Sequence, residues 1–336
     1  GKQKTQSLFK KFFGIPYQAE DFAGLLYETL GKGKLGEQQM EFYKETLYKP
    51  FAEGIRKYEV ARQQALLKWA VLKNKVKKFI PKGLKDVYDK ESGKVLAKFR
   101  KNVIPANIAK TAYENLEGAA TATNNRNKAS GSAGNKRLKK DGSVSNTNGA
   151  DQVNSGIIGY FDRNVRFPYC RQTAFNQKEF EKFKKAYGII KFVDNQYSDL
   201  MPDEYQLQRK VADETAQDFV IKDTAFTTVT VNKNWQTAVH TDKGDFDKGF
   251  GNLVVLREGR YEGGYFVIPQ WAVAFDMQNC DLLLCDVHQW HGNTPINKID
   301  EKATRVSLVM YYRQNMTHCG TALEEQEIAK QREIRS

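Results

Sequence analysis

Between residues 226 and 312 the chain breaks into six short apolar segments, at 226–231, 252–256, 264–268, 272–277, 281–287 and 305–312. Each is rich in Val, Tyr, Phe and Thr and is bounded by Gly, Asn, Asp or Pro. Segments of that length and spacing predict the strands of an all-β sandwich or barrel. Two polar stretches ahead of them, 177–187 and 202–217, predict helices. The expected fold is therefore α+β, with a double-stranded β-helix (jelly-roll) core.

Upstream the texture differs. Residues 51–80 carry Ile55, Tyr58, Ala61, Ala65, Leu66, Trp69, Leu72 and Val76 at helical spacing, interleaved with Lys and Arg, and Pro81-Lys82-Gly83 ends the run. Further helices are expected over 84–100 and 108–116. Residues 118–156 are dominated by Ala, Thr, Asn, Gly and Ser, with Arg126, Lys128 and Lys136-Arg137-Leu138-Lys139-Lys140 embedded. That composition predicts a loop or linker with little core, which orders on a nucleic-acid backbone if it meets one. Three regions result: a helical, basic one at 1–117, a low-complexity loop at 118–156, and the jelly-roll core at 157–336. Gly31-Lys32-Gly33-Lys34-Leu35-Gly36 spells a bare GxGxxG, but it follows a helical stretch rather than a strand, which rules against dinucleotide binding.

Charge divides the chain in the same way. Residues 1–116 carry 24 Lys/Arg against 12 Asp/Glu, whereas 158–336 carry 23 against 25. A basic part joined to a nearly neutral one points to a polyanion-binding region attached to a region that does chemistry. No window of about twenty apolar residues exists and no hydrophobic leader is present, so neither a membrane span nor secretion is expected. The four cysteines (170, 280, 285, 319) form no CxxC pair and are expected to be reduced.

Histidine is scarce, with four in 336 residues. In His240-Thr241-Asp242 the imidazole and carboxylate are two apart, so an extended segment projects both from one face. His291 follows the apolar run 281–287, where a strand end can deliver a third ligand, and His288 offers the same group three residues earlier. Two imidazoles and one carboxylate form the face that leaves half an iron(II) octahedron open. Arg305 and Ser307 repeat the i, i+2 pattern on the last strand. A guanidinium fork beside a hydroxyl suits the far carboxylate of 2-oxoglutarate.

With these residues in view, the stretch from Tyr160 to Cys319 resembles the TET/JBP family of iron(II)/2-oxoglutarate dioxygenases, which oxidise 5-methylpyrimidines in nucleic acid. The resemblance runs through residues 227–232, 238–245, 249–252, 263–265, 286–293 and 305–312, and is nearest the short phage, fungal and algal members. It implies His240, Asp242 and His291 as iron ligands, with His291 preferred over His288 for its Trp-His-Gly-Asn context. It also implies Arg305 and Ser307 as the 2-oxoglutarate anchors, with Asn232 touching co-substrate or base, and Tyr311 as the aromatic that stacks on a flipped base. Arg171 is the first choice for a substrate or DNA contact.

Asp245 stands where animal members carry an Asn that contacts the base. An ionised carboxylate there accepts from the exocyclic amine of cytosine, whereas thymine presents a carbonyl, so 5-methylcytosine is favoured over thymine. The implied activity is oxidation of the 5-methyl group to 5-hydroxymethyl, or further, on DNA whose target base is flipped out. The implied protein is a monomer, nuclear or otherwise DNA-associated, in a cell or a virus. Thymine hydroxylation is one alternative. A second is glyceryl transfer from ascorbate, which otherwise serves as a reductant; a third is a DNA-binding protein with a relic jelly roll.

Overall fold

The computed structural model describes residues 86–335, apart from 90–91, 131, 134–135, 139–143, 149–151, 238–239, 269–270 and 272. The expected helix over 51–80 and the GxGxxG at 31–36 lie outside the described residues. The elements are β1 (Asp86–Tyr88), β2 (Val95–Arg100), α1 (Ala106–Leu116), β3 (Ala122–Thr123), β4 (Ser132–Ala133), β5 (Lys136–Leu138), β6 (Val144–Asn148), β7 (Val153–Phe161) and β8 (Arg171–Gln172). Four helices follow: α2 (Ala174–Lys178), α3 (Phe180–Lys185), α4 (Tyr187–Leu200) and α5 (Pro202–Glu214). The remaining strands are β9 (Thr228–Lys233), β10 (Gly251–Glu258), β11 (Tyr261–Gly263), β12 (Phe266–Ile268), β13 (Val273–Phe275), β14 (Asp281–Cys285), β15 (Gly292–Asn293), β16 (Ile296–Lys298) and β17 (Thr304–Tyr311), before α6 (Ala322–Arg335).

A large antiparallel sheet in the order β1-β2-β14-β10-β17-β9-β7-β3 organises the molecule, with β8 paired to β7. Its two faces differ because the strands alternate. Val306, Leu308 and Met310 of β17, with Val229 and Val231 of β9, point to one side and pack with Ile189, Ile190 and Val193 of α4 and Ala109, Ala112 and Leu116 of α1. Leu253 and Val255 of β10, with Leu283 and Cys285 of β14, point the other way. They meet Phe266, Ile268, Val273 and Phe275 of the small sheet β13-β12-β15. Helices cover one face of the large sheet, and a second sheet covers part of the other. Arg305, Ser307, Val309 and Tyr311 stand on that second face by the same alternation.

All six strands expected between 226 and 312 form, with ends shifted by a few residues. The helix expected over 84–100 is corrected over its described residues: 86–88 and 95–100 are not helical but form the hairpin β1–β2, which extends the large sheet through β2 on β14. Its turn is set by side-chain chemistry. The Asp89 carboxylate accepts from the Ser92 amide (2.8 Å) and hydroxyl (2.9 Å), and Gly93 takes a φ of +68°. Ala97 and Phe99 then alternate into the inter-sheet core.

The stretch 118–156 also gives more than a loop. Ala119, Ala120 and Val153 are buried, and β3 closes the sheet edge on β7. The cysteine expectation is likewise corrected, since Cys170 and Cys319 are joined by a disulfide. The two lie 149 apart in sequence, one just before β8 and the other after β17; Cys280 and Cys285 are free and buried. No described helix is long and apolar enough to cross a membrane.

Candidate active site

Two chain segments converge on the open face of the large sheet. The backbones at His240 and His291 pair as an antiparallel bridge, each amide donating to the other's carbonyl at 2.9 Å, and the Asp242 amide donates to the Val287 carbonyl at 3.0 Å. Asn293 fixes the approach: its Oδ1 accepts from the amide (2.9 Å) and the hydroxyl (2.7 Å) of Thr237. His240, Asp242 and His291 are thereby brought together with ligand atoms all within 4.8 Å of one another. Nε2 of His240 lies 3.5 Å from one Asp242 oxygen, and Nε2 of His291 lies 3.5 Å from the other.

The donor set is prepared for a cation. The Nδ1 of His291 donates to the Gln289 carbonyl at 2.9 Å, which places the ring proton there and leaves Nε2 as a lone-pair donor. Phe266 stacks on the same ring at 5.3 Å and holds its plane. Burial opposes ionisation of Asp242, but the His291 and His240 imidazoles outweigh it and bring its carboxyl down to about 2. His288 is not in the cluster; its Nδ1 bonds to Asp286 at 3.1 Å.

Arg305 and Ser307 are both 4 % exposed on the same face of β17. Arg305 has a built cradle. Gly263 and Gly264 carry φ of +77° and +67°, and a Cβ at Gly264 would lie 3.2 Å from the Arg305 Nε. That Nε is buried and has no hydrogen-bond partner among the described residues. Burial pulls the guanidinium below its ordinary value, yet an arginine keeps its charge, so the site calls for an anion. Asn232 lies directly across from Ser307 on β9, and its Oδ1 accepts from the Ser155 hydroxyl at 2.5 Å. The residues expected to meet 2-oxoglutarate thus share one face.

Tyr311 continues that face, 7 % exposed, with its hydroxyl 3.2 Å from Thr230 Oγ1. Asp245 pairs through its backbone with Arg313. Burial first, and then the Asp242 charge, push the Asp245 carboxyl well above the usual carboxylate range, with Arg313 pulling against them. Arg171 lies further out, its guanidinium on the rings of Phe167 (4.3 Å) and Phe161 (5.0 Å).

Two site residues were missed from the sequence. Arg313 donates from Nε to Asp162 at 2.8 Å and sits beside Tyr311 and Asp245. Arg126 comes from the stretch expected to be a linker; its Nη2 donates to the Gly156 carbonyl at 3.1 Å, and it stands near Tyr311 and the Asp242 carboxylate. No sequence signal marks Arg126, because only the closing of β3 on β7 brings it to the site.

Residues 156–314 match the Tet_JBP family model, described as the oxygenase domain of the 2OGFeDO superfamily. The chain carries a Tet_JBP oxygenase domain. It is 34% identical over 228 residues to the bifunctional helicase and thymine dioxygenase JBP2 of Trypanosoma brucei brucei, covering 67% of this chain and 19% of that protein. It is 37% identical over 169 residues to the thymine dioxygenase JBP1 of the same organism, covering 49% of this chain and 20% of the relative. The chain therefore spans about a fifth of the length of these curated relatives. Among solved structures, NgTET1 in complex with 5mC DNA superposes with a TM-score of 0.47 at 14% identity, over 72% of this chain and 82% of that one.

The Tet_JBP domain is a 2OG-Fe(II) dioxygenase domain, so iron(II) and 2-oxoglutarate are its implied metal and co-substrate. The residues fit both groups. Two imidazoles and a carboxylate are a donor set suited to iron(II), and the buried, unpartnered Arg305 Nε is suited to a carboxylate.

Proposed function

We propose that this chain hydroxylates the 5-methyl group of a pyrimidine in DNA, and that thymine is the base. The convergence of His240, Asp242 and His291 on the face that also carries Arg305, Ser307 and Tyr311 is the observation that supports the chemistry. We read the two facing sheets as a double-stranded β-helix.

His240, Asp242 and His291 would hold iron(II), which with 2-oxoglutarate as the co-reductant would activate dioxygen, the oxidant, for attack on the methyl group. Arg305 orients the co-substrate by pairing with its distal carboxylate, and Ser307 adds a hydroxyl donor; Asn232, held by Ser155, closes that end. Tyr311 offers the ring on which the base stacks, and Thr230 pins its hydroxyl. His291, 4 % exposed, cannot meet a stacked base, so the target must leave the helix.

The base is read at Asp245. An ionised Asp245 would accept from the amine of 5-methylcytosine and repel the thymine O4. A carboxyl driven toward its neutral form lifts that repulsion: it can donate to O4 and accept from N3–H of thymine, just as it can pair with cytosine, so thymine is admitted and the choice between the bases rests on the relatives. The relatives named thymine dioxygenases agree with that reading. The second reading, 5-methylcytosine, is favoured if Asp245 ionises once its neighbours are bound.

Nucleoside mass spectrometry of oligonucleotides carrying thymine alone or with 5-methylcytosine, given 2-oxoglutarate or ascorbate separately, tests the proposal. 5-Hydroxymethyluracil formed with 2-oxoglutarate and lost in His240→Ala is the expected result. 5-Hydroxymethylcytosine alone selects the second reading; a glyceryl adduct with ascorbate, or no modified base, rejects the activity.

A further inference from the structure

The segment joining β7 to β8 rises from the rim of the site and ends in solvent. Its tip is Asn164-Val165-Arg166, and Val165 is 105% exposed. An apolar side chain in full solvent is unremarkable on a frayed loop. This loop is not frayed. Asn164 and Phe167 close the tip, with amide to carbonyl and amide to side-chain oxygen both at 2.8 Å.

Below the tip, Glu325 is 2 % exposed and gathers Arg163 (Nε at 3.2 Å), the Cys170 amide (2.6 Å) and the Gly320 amide (2.7 Å). The Cys170–Cys319 disulfide fastens the same point. Arg171 stacks on Phe167, and Asp162 at the root bonds to Arg313, the neighbour of Tyr311 and of Asp245. An ion pair, a covalent link and a stacked arginine thus brace a projection whose apolar tip is fully exposed among the described residues.

Charge indicates the partner. Residues 162–171 hold three arginines against one aspartate, and Arg166 makes no ion pair among the described residues, resting instead over the Phe167 ring at 5.3 Å. We propose that this hairpin is a wedge for duplex DNA: Val165 enters the base stack where the target base has left, while Arg166 meets a flanking phosphate. This rests on the DNA reading above. A base that leaves a duplex exposes its neighbours' faces, and a small rigid apolar group inserted there offsets part of the lost stacking. The rim position matters, because the wedge must act beside the pocket that receives the base.

The wedge predicts a strand-dependent defect. In the full chain, Val165→Ser removes the apolar tip at a position fully exposed among the described residues, and folding is expected to be retained. Its kcat/KM on a duplex target is expected to fall about tenfold, with single-stranded activity within about twofold of the parent. Arg166→Gln is expected to weaken duplex binding severalfold and to reduce the salt slope by about one.

A 2-aminopurine beside the target reports unstacking without turnover, and Val165→Ser should blunt its fluorescence rise. Equal losses on duplex and single strand, or an undiminished 2-aminopurine response, overturn the wedge. A parent chain that does not bind duplex DNA overturns it too, and would leave the tip for a protein partner. A parent that oxidises only single strands rejects the wedge but keeps the dioxygenase. Unstacking without oxidised product keeps the wedge and rejects the dioxygenase.

Discussion

Arg305 and Asp245 illustrate opposite uses of burial. Arg305 cannot lose its charge, so taking it out of water creates a demand that a carboxylate meets. Arg305→Lys keeps the charge but loses the planar fork. Its apparent Kd for 2-oxoglutarate should rise about tenfold, which is about 1.4 kcal/mol, measured by anaerobic titration of the iron(II)-loaded protein. Asp245 can lose its charge, and burial with the Asp242 carboxylate pushes it to do so. Because its pKa is raised and the proton-bearing form donates to thymine, kcat/KM on thymine should be highest below that raised value, down to the pH at which the imidazoles protonate and release the metal. It should fall as pH rises through the raised value. Asp245→Asn, which keeps a donor and an acceptor at all pH values, should flatten that limb in a pH–rate profile; an unchanged limb assigns the ionisation elsewhere. The base that Asp245 reads turns on its ionisation, which is a property of the surroundings that a sequence does not print.

At the level of elements, the glycines of two close crossings set what can be changed. A Cβ at Gly156 would stand 1.9 Å from the Ala119 carbonyl oxygen, so Gly156→Ala must lift residues 119–126 off β7 and carry Arg126 away from Tyr311. A loss of about 2 kcal/mol or more is expected, read as a drop in the denaturation midpoint, together with weaker substrate turnover. The six strands from 226 to 312 were legible because each alternates or runs apolar between turn residues. The clustering of His240, Asp242 and His291, the candidate metal ligands, was legible because two spacings, i+2 at the first pair and i+2 at Arg305 and Ser307, repeat within strand texture. Residues 84–100 misled because Val87, Val95, Leu96 and Phe99 fit a helical stripe as well as a broken alternation, and only pairing with β14 decides. Residues 118–156 misled for a different reason: small residues contribute core when a neighbouring backbone comes close, and Ala119 and Ala120 do so here.

Across the whole molecule, one face of the large sheet is given to helices and the other to chemistry, so damage to the two should separate. Val193→Ala in α4, fully buried against the sheet, should cost about 1–3 kcal/mol by chemical denaturation while leaving the 2-oxoglutarate affinity of the folded fraction within about twofold. The cysteine pair has a further effect. Cys170 and Cys319 close a ring of backbone that contains every residue assigned here to iron, co-substrate or base, from Asn232 to Tyr311. Arg126 lies outside that ring. A protease that nicks any loop between the two cysteines therefore cannot release the active site as a fragment. The nicked protein should migrate as one band on a non-reducing gel and split only when a thiol is added, and a split without thiol would place the sulfurs apart. The disulfide makes the catalytic half of this chain a topological circle, whose pieces stay in register after cleavage of any single bond within it.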